Sequence, residues 1–482
     1  MTHHVIDERG TRLTLGRLLG GGGQGEVFAA EEGNLAVKLI RPCAGLDQSV
    51  LRRRLERVRR LDLGDLPLAR PETVLRSPHL GYTMQLVAGA RPLSTLIQPD
   101  RDTASLSHWF IESGGLRGRL RVLAALGRVL HQLHSRGLVY GDLSARNVLL
   151  VGDPAGDFSL HLIDCDNLRS DASSDPTRFY TPGYAAPELL SGRNGANTLC
   201  DLHAFAVVSH ECLTGIHPFV GDVVTDGEPE LEERAYAGEL PWVEDAHDRS
   251  NACSRGVPRD RVLSPATREL FSRAFGSGRS DPATRPRLIE WLSVFEQAAD
   301  MTLHCPGSAC GASYFATKQD AGCPWCGHNH PHNLVLTWLL CDPRTPEKPH
   351  FGHLVLDPQR SEPSAFAWMR LTAEVPARIE TRHFGTEGEP PAVAMKSVAR
   401  LLLRRDEKGS LACEVATEGD MPLRFVRRGG ASDASVPERI LPKGKKITLR
   451  ISGSDLSLSS RAYLHLGSPE TLHRVIRFGA KS

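Results

Sequence analysis

Two short polar loops, each following an apolar run, constrain this chain more than any other feature of its sequence. The first loop spans Val139–Asn147 and contains an aspartate, Asp142, followed five residues later by an amide, Asn147. The second loop follows Leu162 and carries another aspartate, Asp164. Phosphoryl transfer from a nucleotide uses one carboxylate to orient a hydroxyl, and an amide and a second carboxylate to hold magnesium. The two loops therefore predict a site of this chemistry.

A glycine-rich turn near the N-terminus adds a second signal. The run from Gly20 to Val27 fits G-x-G-x-x-G-x-V, with Gly22 and Gly25 at the other glycine positions. Glycine lets backbone amides approach a phosphate without an intervening side chain, although four glycines in a row also suit a flexible hairpin. A dinucleotide-binding fold places a helix directly after such a loop, whereas the strand-like run Leu35–Ile40 follows here.

Together these segments resemble the protein kinase superfamily. The resemblance implies an α+β, bilobal protein-kinase-like fold, with a small lobe over about residues 11–88 and a large lobe over about residues 89–300. It also implies that Lys38, at the end of an Ala-Val-Lys triplet, reaches the nucleotide phosphates and pairs with a helix glutamate. Glu56 is the only acid between Gln48 and Leu61, which makes it the predicted partner.

The same resemblance assigns the remaining residues of the catalytic cleft. Asp142 is the predicted base that orients the substrate hydroxyl, while Asn147 and Asp164 hold Mg2+ or Mn2+. Arg146 neutralises phosphate charge in place of the usual lysine, and the backbone of the segment from Gln85 to Val87 holds adenine. The predicted ATP-binding set is Gly20, Gly22, Gly25, Val27, Lys38, Gln85, Val87, Asn147 and Asp164.

Two departures from the family pattern concern regulation. Tyr140-Gly141 replaces the usual His-Arg, which removes the arginine that ties this loop to a phosphorylated segment. We therefore infer that activity does not depend on such a phosphate. After Asp164 the usual Phe-Gly is replaced by Cys165 and Asp166, so we expect a loop fixed in its metal-binding state. Asp166 is either a second carboxylate for the metals or an exposed turn residue.

A segment resembling a peptide-docking platform indicates the class of substrate. The sequence from Tyr180 to Glu188 is similar to the Gly-Thr-x-x-Tyr-x-Ala-Pro-Glu motif of protein kinases, which small-molecule kinases generally lack. Thr181 favours serine or threonine as the acceptor. Two distant matches support the resemblance, since Asp201 is expected to anchor the catalytic loop and Arg285 to pair with Glu188.

Four cysteines after residue 300 form a metal-binding pattern. Cys305 and Cys310 are spaced C-x4-C, and Cys323 and Cys326 follow as C-x2-C. Four thiolates on two tight turns can enclose Zn2+ in a tetrahedron, and so short a segment cannot build a core without such a staple. The pattern predicts a zinc ribbon with a structural ion. A redox role for the second pair is the weaker interpretation because no thioredoxin-like strand and helix surround it.

Length and composition bound the other possibilities. The 482 residues exceed one ordinary domain, so we assign 1–300 to the kinase-like domain, 301–332 to the zinc ribbon and 333–482 to a β-sandwich-like domain. A net charge of +1 favours neither nucleic acid nor membrane as a partner. No apolar run reaches the roughly 18 residues of a bilayer span. Scattered cysteines and the absence of a secretory segment indicate a cytoplasmic protein.

The resulting prediction is an ATP-dependent serine/threonine kinase whose substrates are proteins, with docking modules after residue 300. The layout resembles divergent bacterial kinases grouped with a phosphatase and a von Willebrand-type protein in tellurium-resistance-associated phosphorylation systems. A cognate phosphatase and an adaptor protein are therefore expected partners. Two alternatives stay open, a pseudokinase scaffold and a small-molecule kinase, the latter favoured by Gly141-Asp142 and opposed by the docking platform. The oligomeric state is not predicted.

Overall fold

The structure is a computed structural model. It describes residues 4–22, 25–41, 48–99, 105–171, 180–192, 195–315, 322–330, 333–342, 353–355, 368–383, 396–405, 411–419, 423–427, 438–451, 462–466 and 473–479. The chain divides into two compact units, Met1–Gly114 with Arg121–Leu292, and Gly115–Leu120 with Ser293–Ser482. Within the described ranges, no helix combines the length and apolar character needed to cross a membrane.

An antiparallel sheet and one helix form the N-terminal part of the first unit. The strands are β1 (His4–Ile6), β2 (Arg12–Gly22), β3 (Gly25–Ala30), β4 (Leu35–Ile40), β5 (Pro71–Val74) and β6 (Gly81–Gln85), in the order β1-β2-β3-β4-β6-β5. The helix is α1 (Gln48–Arg59). Its Leu51 and Leu55 share a hydrophobic cluster with Ile40 and Met84 of the sheet. This sheet and helix occupy the range in which the sequence predicts a small lobe.

Helices dominate the rest of the first unit. They are α2 (Leu106–Glu112), α3 (Gly115–Ser135), α4 (Pro187–Leu190), α5 (Thr198–Thr214), α6 (Asp222–Thr225), α7 (Pro229–Tyr236), α8 (Arg259–Val262), α9 (Pro265–Ser272), α10 (Gly278–Ser280) and α11 (Leu288–Asp300). Helix α3 begins, and helix α11 ends, with residues assigned to the second unit. A π-helical turn covers Arg273–Ser277, and 3-10 turns cover Leu93–Leu96, Cys165–Asn167 and Pro282–Thr284.

Short strands frame the two polar loops of this lobe. They are β7 (Arg91–Pro92), β8 (Leu138–Val139), β9 (Val148–Gly152), β10 (Phe158–Leu162) and β11 (Arg169–Ser170). Strands β10, β9 and β7 form one sheet, and β11 pairs with β8. The first polar loop therefore connects β8 to β9, and the second follows β10.

Two long helices supply much of the core of this lobe. Helix α3 buries leucines spaced three or four residues apart, which is the spacing of one helix face: Leu120, Leu123, Leu126, Leu130 and Leu133. Helix α5 is buried along nearly its whole length. The side chain of Asn197 caps its first turn by accepting a hydrogen bond from the Cys200 N–H at 3.1 Å, and Gly215 ends it with a φ of 73°.

Strands dominate the second unit. They are β12 (Thr302–His304), β13 (Ser313–Phe315), β14 (Asn333–Asp342), β15 (His353–Val355), β16 (Trp368–Thr372), β17 (Ala377–Glu380), β18 (Ser397–Arg405), β19 (Leu411–Thr417), β20 (Leu423–Arg427), β21 (Glu438–Leu441), β22 (Lys446–Ile451), β23 (Ala462–Leu466) and β24 (His473–Gly479), with a 3-10 turn at Thr381–His383. Strands β12 and β13 pair with each other, β17-β18-β19-β22 form one sheet, and β14, β15, β16, β20, β21, β23 and β24 form another.

Buried residues of the two larger sheets form one hydrophobic cluster. It includes Leu336 and Leu464 from one sheet and Ile379 and Leu401 from the other. A shared core of this kind is what a β-sandwich-like domain requires. The residues assigned to a separate zinc ribbon, 301–332, lie in the same compact unit as these sheets.

Candidate active site

A buried acid of helix α5 holds the loop that follows β8. Asp201 Oδ2 accepts a hydrogen bond from the Tyr140 N–H at 2.8 Å, and Oδ1 accepts one from the Gly141 N–H at 2.9 Å. His134 Nε2 lies 3.0 Å from Oδ2. Because both carboxylate oxygens are engaged, helix α5 sets the backbone conformation immediately before Asp142. The anchoring role predicted for Asp201 is confirmed.

The side chain of Asp142 is buried and held on one side only. Its Oδ1 accepts hydrogen bonds from the Thr181 N–H and the Thr181 hydroxyl, both at 2.8 Å. No described residue donates a hydrogen bond to Oδ2, so this oxygen can accept one from a bound hydroxyl. Burial raises the pKa of Asp142 and the Asp164 carboxylate adds to the rise, whereas Thr181 and Lys38 lower it.

Asn147 and Asp164 lie on successive loops that a backbone hydrogen bond joins. The Asn147 amide donates to the Asp142 carbonyl at 2.9 Å, which leaves its oxygen as the atom able to hold a cation. The Asn147 carbonyl accepts a hydrogen bond from the Ile163 N–H at 3.0 Å, so the two loops are tied together. Asp164 has a φ of 54°, which is uncommon for a residue with a side chain. Amide and carboxylate oxygens are ligands that suit Mg2+.

Lys38 lies on β4 and contacts the second of these loops. Its side chain is 3% exposed, and Nζ lies 3.1 Å from Asp164 Oδ1 and 3.4 Å from Asp166 Oδ1. Burial alone would lower the pKa of Lys38, but the two carboxylates raise it overall. A buried ammonium next to the proposed metal ligands is well placed to meet phosphate oxygens.

The predicted ion pair between Lys38 and Glu56 is not formed. Glu56 is partly exposed on helix α1, and the described residues include no hydrogen bond or ion pair between it and Lys38. Arg54 of the same helix points inward instead, with NH1 4.0 Å from Asp166 Oδ2. Helical spacing could have shown this, because position 54 lies on the buried face formed by Leu51, Leu55 and Val58.

Asp166 is not the exposed turn residue that one interpretation of the sequence suggested. It lies in the 3-10 turn after Asp164, and its side chain is 4% exposed. Burial would raise the pKa of Asp166, but Lys38, Arg54 and the Tyr82 hydroxyl together lower it. The kinase motifs in the sequence do not predict that Asp166 contacts Lys38.

The glycine-rich turn is a hairpin between β2 and β3. The register pairs Gly20 with Val27 and Gly22 with Gly25, while residues 23 and 24 lie outside the described ranges. A Cβ added at Gly20 or Gly22 would meet no atom within 4 Å, so the space beside these residues is open. A Cβ at Gly25 would lie 1.9 Å from the Leu39 carbonyl oxygen, so strand packing requires this glycine. Val27 packs against the small-lobe core.

The segment predicted to bind adenine lies at the end of β6. Met84 is buried, Gln85 is exposed and Val87 is partly buried. The Leu86 N–H donates to the Asn34 carbonyl at 2.9 Å and is therefore occupied. Within the described residues, no hydrogen bond involves the backbone of Val87, so its N–H and C=O are available to a purine edge.

Several hydrogen bonds fix the segment from Thr181 to Glu188 to the large lobe. Arg285 and Glu188 form a buried bidentate pair at 2.7 and 2.8 Å, which confirms the predicted contact. The Tyr184 hydroxyl donates to Glu211 at 2.6 Å. Arg146 is exposed on the catalytic loop and lies near enough to Tyr184 to lower the pKa of that phenol, although burial and Glu211 raise it overall.

The four cysteines of the second unit converge on one point. The sulfurs of Cys305, Cys310, Cys323 and Cys326 all lie within 4.8 Å of one another. The separation is 3.5 Å between Cys305 and Cys326 and 3.9 Å between Cys310 and Cys323. Tetrahedral Zn2+ with bonds of about 2.3 Å would space its sulfurs by about 3.8 Å, so the cluster fits this ion.

Comparison with known proteins identifies the catalytic region. Residues 102–286 match the family model described as "Protein kinase domain". The chain is 34% identical over 224 residues to the DNA damage-responsive serine/threonine-protein kinase RqkA of Deinococcus radiodurans, covering 44% of this chain and 31% of that protein. It is 30% identical over 347 residues to the serine/threonine-protein kinase PknD of Mycobacterium tuberculosis, covering 68% of this chain and 48% of that protein.

A third relative is the serine/threonine-protein kinase PkaB of Streptomyces coelicolor, which is 30% identical over 225 residues, or 44% of this chain and 51% of that protein. The chain thus spans between about a third and about half of the length of these three relatives. The family match covers the catalytic loop, Asp164 and the platform, whose contacts are described above. Residues 102–286 therefore constitute a protein kinase domain.

Proposed function

We propose that this protein is an ATP-dependent serine/threonine kinase that phosphorylates protein substrates. The observation that carries the proposal is the convergence of four side chains from separate segments. Lys38 Nζ lies 3.1 Å from Asp164, Asn147 is hydrogen-bonded to the Asp142 carbonyl at 2.9 Å, and the Asp164 charge affects the pKa of Asp142. An ammonium, an amide and two carboxylates are the groups that phosphoryl transfer from a nucleotide uses.

The proposed reaction uses the free oxygen of Asp142. A substrate hydroxyl donates to Asp142 Oδ2, and its oxygen attacks the γ-phosphorus of ATP. A new O–P bond forms, the bond between the γ-phosphorus and the bridging oxygen of ADP breaks, and the hydroxyl proton passes to Asp142. Thr181 holds the carboxylate through its other oxygen, so the acceptor oxygen keeps its direction during transfer.

Three further residues act on the phosphates in this proposal. Asn147 and Asp164 would hold Mg2+, or Mn2+ in its place, and the ion would offset the negative charge of the phosphates. Lys38 contacts phosphate oxygens and keeps the nucleotide in line with the hydroxyl. Arg146, exposed on the catalytic loop, neutralises charge on the transferring group.

Protein is the proposed substrate class because the platform is ordered around the base. The Thr181 hydroxyl contacts Asp142, and Tyr184 and Glu188 are fixed to the large lobe. An extended peptide could therefore reach Asp142 along a surface of defined shape. The names of the bacterial relatives, each a serine/threonine-protein kinase, support this choice of acceptor.

The proposal for the second unit is a structural Zn2+ on the four cysteines and partner docking by the β-rich sheets. The sulfur spacing supports the ion, which would stabilise a segment with few buried residues of its own. Thiolate ligands also favour a reducing, cytoplasmic location. A protein substrate, a cognate phosphatase and an adaptor protein are the partners that this arrangement would serve.

Phosphate transfer from labelled ATP tests the proposed function. The full chain is incubated with Mg2+, and in parallel with Mn2+, in the presence of a generic protein acceptor. The variants are Asp142→Ala and Lys38→Met, with Asp226→Asn as a control because Asp226 is an exposed acid far from the loops in sequence. Wild type and the control should label protein, whereas the two site variants should lose about 10²-fold or more in rate.

The outcomes separate the alternatives. ATP binding without transfer to any acceptor would indicate a scaffold and contradict the proposal. Transfer to small metabolites with none to protein would indicate a small-molecule kinase and contradict the proposed substrate class. In a separate assay without Mg2+, a colorimetric chelator should take up Zn2+ from the cysteine cluster.

A further inference from the structure

Asp166 lies at the centre of a buried cluster around Lys38, and the proposed reaction gives Asp166 itself no role. Its Oδ1 accepts a hydrogen bond from the Tyr82 hydroxyl at 2.9 Å and from Lys38 Nζ at 3.4 Å. Its Oδ2 lies 4.0 Å from NH1 of Arg54. Both carboxylate oxygens therefore face a cation or a donor on the small lobe.

Three elements of the fold bring these groups together. The register of β4 and β6 places Tyr82 opposite Lys38, and Nζ lies 5.7 Å from the centre of the Tyr82 ring. Helix α1 supplies Arg54 from its inward face. The 3-10 turn after Asp164 places Asp166 next to side chains of β4, β6 and helix α1. The lysine is thus enclosed by an aromatic ring and two carboxylates.

The charges of this cluster are the reverse of those expected from the family pattern. The pattern requires a glutamate on the helix, but the inward residue is Arg54, and no hydrogen bond or ion pair joins Glu56 to Lys38 among the described residues. A buried ammonium without a carboxylate partner is costly. Asp164 would supply one such partner, but its oxygens are the proposed ligands of Mg2+. Asp166 is the remaining carboxylate in contact with Lys38.

We propose that Asp166 is a positioning residue that holds Lys38 toward the nucleotide in place of a helix glutamate. The inference rests on the proposed function, since it concerns the lysine of that site. Both carboxylates around Lys38 then come from one turn, so a displacement of helix α1 leaves the lysine aligned. The two neighbours differ in task, Asp164 serving the metal and Asp166 serving the lysine.

Mg·ATP binding to the full chain, measured by calorimetry, tests this assignment. The key variant is Asp166→Asn, and Glu56→Gln is its matched comparison, because each replaces one carboxylate by an amide. Asp166→Asn should raise the dissociation constant by about tenfold or more, whereas Glu56→Gln should change it less than about twofold. The reverse order would overturn the proposal.

Metal dependence separates positioning from metal ligation. A lost metal ligand is compensated by mass action when Mg2+ is raised about tenfold, whereas a misplaced lysine is not. The loss in Asp164→Asn should therefore shrink at high Mg2+, and the loss in Asp166→Asn should remain. Recovery of Asp166→Asn at high Mg2+ would make Asp166 a metal ligand and overturn the proposal.

Kinetics and a second variant guard against an effect of folding alone. Asp166→Asn should raise KM for ATP about tenfold and leave KM for the protein acceptor within about twofold. If Asp166→Asn does not fold, Tyr82→Phe decides, because it keeps the ring and removes the hydrogen bond to Asp166. We expect its dissociation constant for Mg·ATP to rise about threefold, and an unchanged constant would overturn the proposal.

The same experiments keep the two proposals apart. The proposed function fails if wild type binds Mg·ATP but transfers no phosphate to protein. The positioning role fails if wild type binds Mg·ATP and Asp166→Asn binds it equally well.

Discussion

The catalytic loop and the Lys38 cluster belong to the same proposed site but are held by different kinds of contact. The Lys38 cluster comprises Lys38, Arg54, Tyr82, Asp164 and Asp166. The catalytic loop is held by its backbone, with the Tyr140 and Gly141 amides donating to Asp201 at 2.8 and 2.9 Å. The Lys38 cluster is held by side chains, with charge separations of 3.1, 3.4 and 4.0 Å and one hydrogen bond of 2.9 Å from Tyr82 to Asp166. The anchor of the catalytic loop follows the family motif. At Lys38, carboxylates of the turn after β10 take the place of the helix glutamate of that motif.

The difference has a physical basis. A loop backbone held by short hydrogen bonds adopts one conformation for a given anchoring side chain. The anchoring residue must therefore stay at one position in the sequence. A long lysine side chain can reach a carboxylate on a helix or on a turn, since the interaction of two charges depends on distance more than on direction. Substitution of residues that support the catalytic loop should therefore reduce stability or activity more than substitution of residues on helix α1.

The largest expected effect is loss of the Arg285–Glu188 pair that supports the platform beside the catalytic loop. Glu188→Gln leaves the buried Arg285 guanidinium, hydrogen-bonded at 2.7 and 2.8 Å in the native protein, without its counter-charge. We expect a loss of about 3–5 kcal/mol in the free energy of unfolding, measured with urea. The control is Glu239→Gln, whose exposed pair with Arg234 should contribute less than about 1 kcal/mol. Equal losses would show that burial does not set the cost.

The second prediction concerns pH and the Tyr184–Glu211 contact on the same lobe. Burial raises the pKa of Glu211 from 4.5 to about 7, partly offset by the Tyr184 hydrogen bond. Because the pKa of Glu211 is raised in the folded protein, protonated Glu211 favours the folded state relative to ionised Glu211. This contribution to the free energy of unfolding is fully present below about pH 4.5 and is lost as the pH rises through about 7. The change amounts to about 3 kcal/mol.

Urea unfolding of wild type and Glu211→Gln at several pH values measures this effect. The stability of wild type relative to the variant should decline as pH rises, because the glutamine cannot ionise. A difference that stays constant across the range would mean that Glu211 titrates alike in the folded and unfolded chains.

Asp201→Asn tests the anchor of the catalytic loop itself. The amide that replaces one carboxylate oxygen presents a donor to a backbone N–H, so one loop hydrogen bond becomes a repulsive contact. A small displacement of Asp142 should lower kcat about 100-fold. Asp222→Asn is the control, since Asp222 is a partly exposed acid whose Oδ2 accepts from the Ser254 N–H at 2.9 Å. A kcat within threefold of wild type would show that the loop keeps its position without the anchor.

The smallest expected effect is on helix α1. Arg54→Gln removes a charge 4.0 Å from Asp166, a separation too long for a direct hydrogen bond. Because Arg54 acts on Lys38 indirectly, through Asp166, we expect kcat/KM for ATP to fall about threefold or less in steady-state assays. A tenfold fall would show that the helix controls the lysine as strongly as the turn does, and the contrast between the two regions would disappear.

The sequence predicts the loop region well because its motifs report local geometry. Asp201, Glu188 and Arg285 were each expected in the contact that the structure shows. Each is an acid or arginine fixed at a set distance from a turn or helix end, and such a position determines which backbone group or partner it can reach.

The sequence predicts the Lys38 region less well because charge partners can be exchanged in space. The sequence predicts Glu56 as the partner because it is the only nearby acid on the helix, but the buried face of that helix contains Arg54. Asp166 lies 128 residues from Lys38, and no local pattern signals that contact. The hydrophobic spacing of Leu51, Leu55 and Val58 was the available signal for the helix orientation.

A crystal structure of the full chain with Mg2+ and a non-hydrolysable ATP analogue would test the central claim most directly. The account predicts a triphosphate in the cleft of the first unit, with a metal on Asn147 and Asp164 and with Lys38 contacting both phosphate oxygens and Asp166. A nucleotide bound elsewhere, or a metal that contacts neither Asn147 nor Asp164, would contradict it.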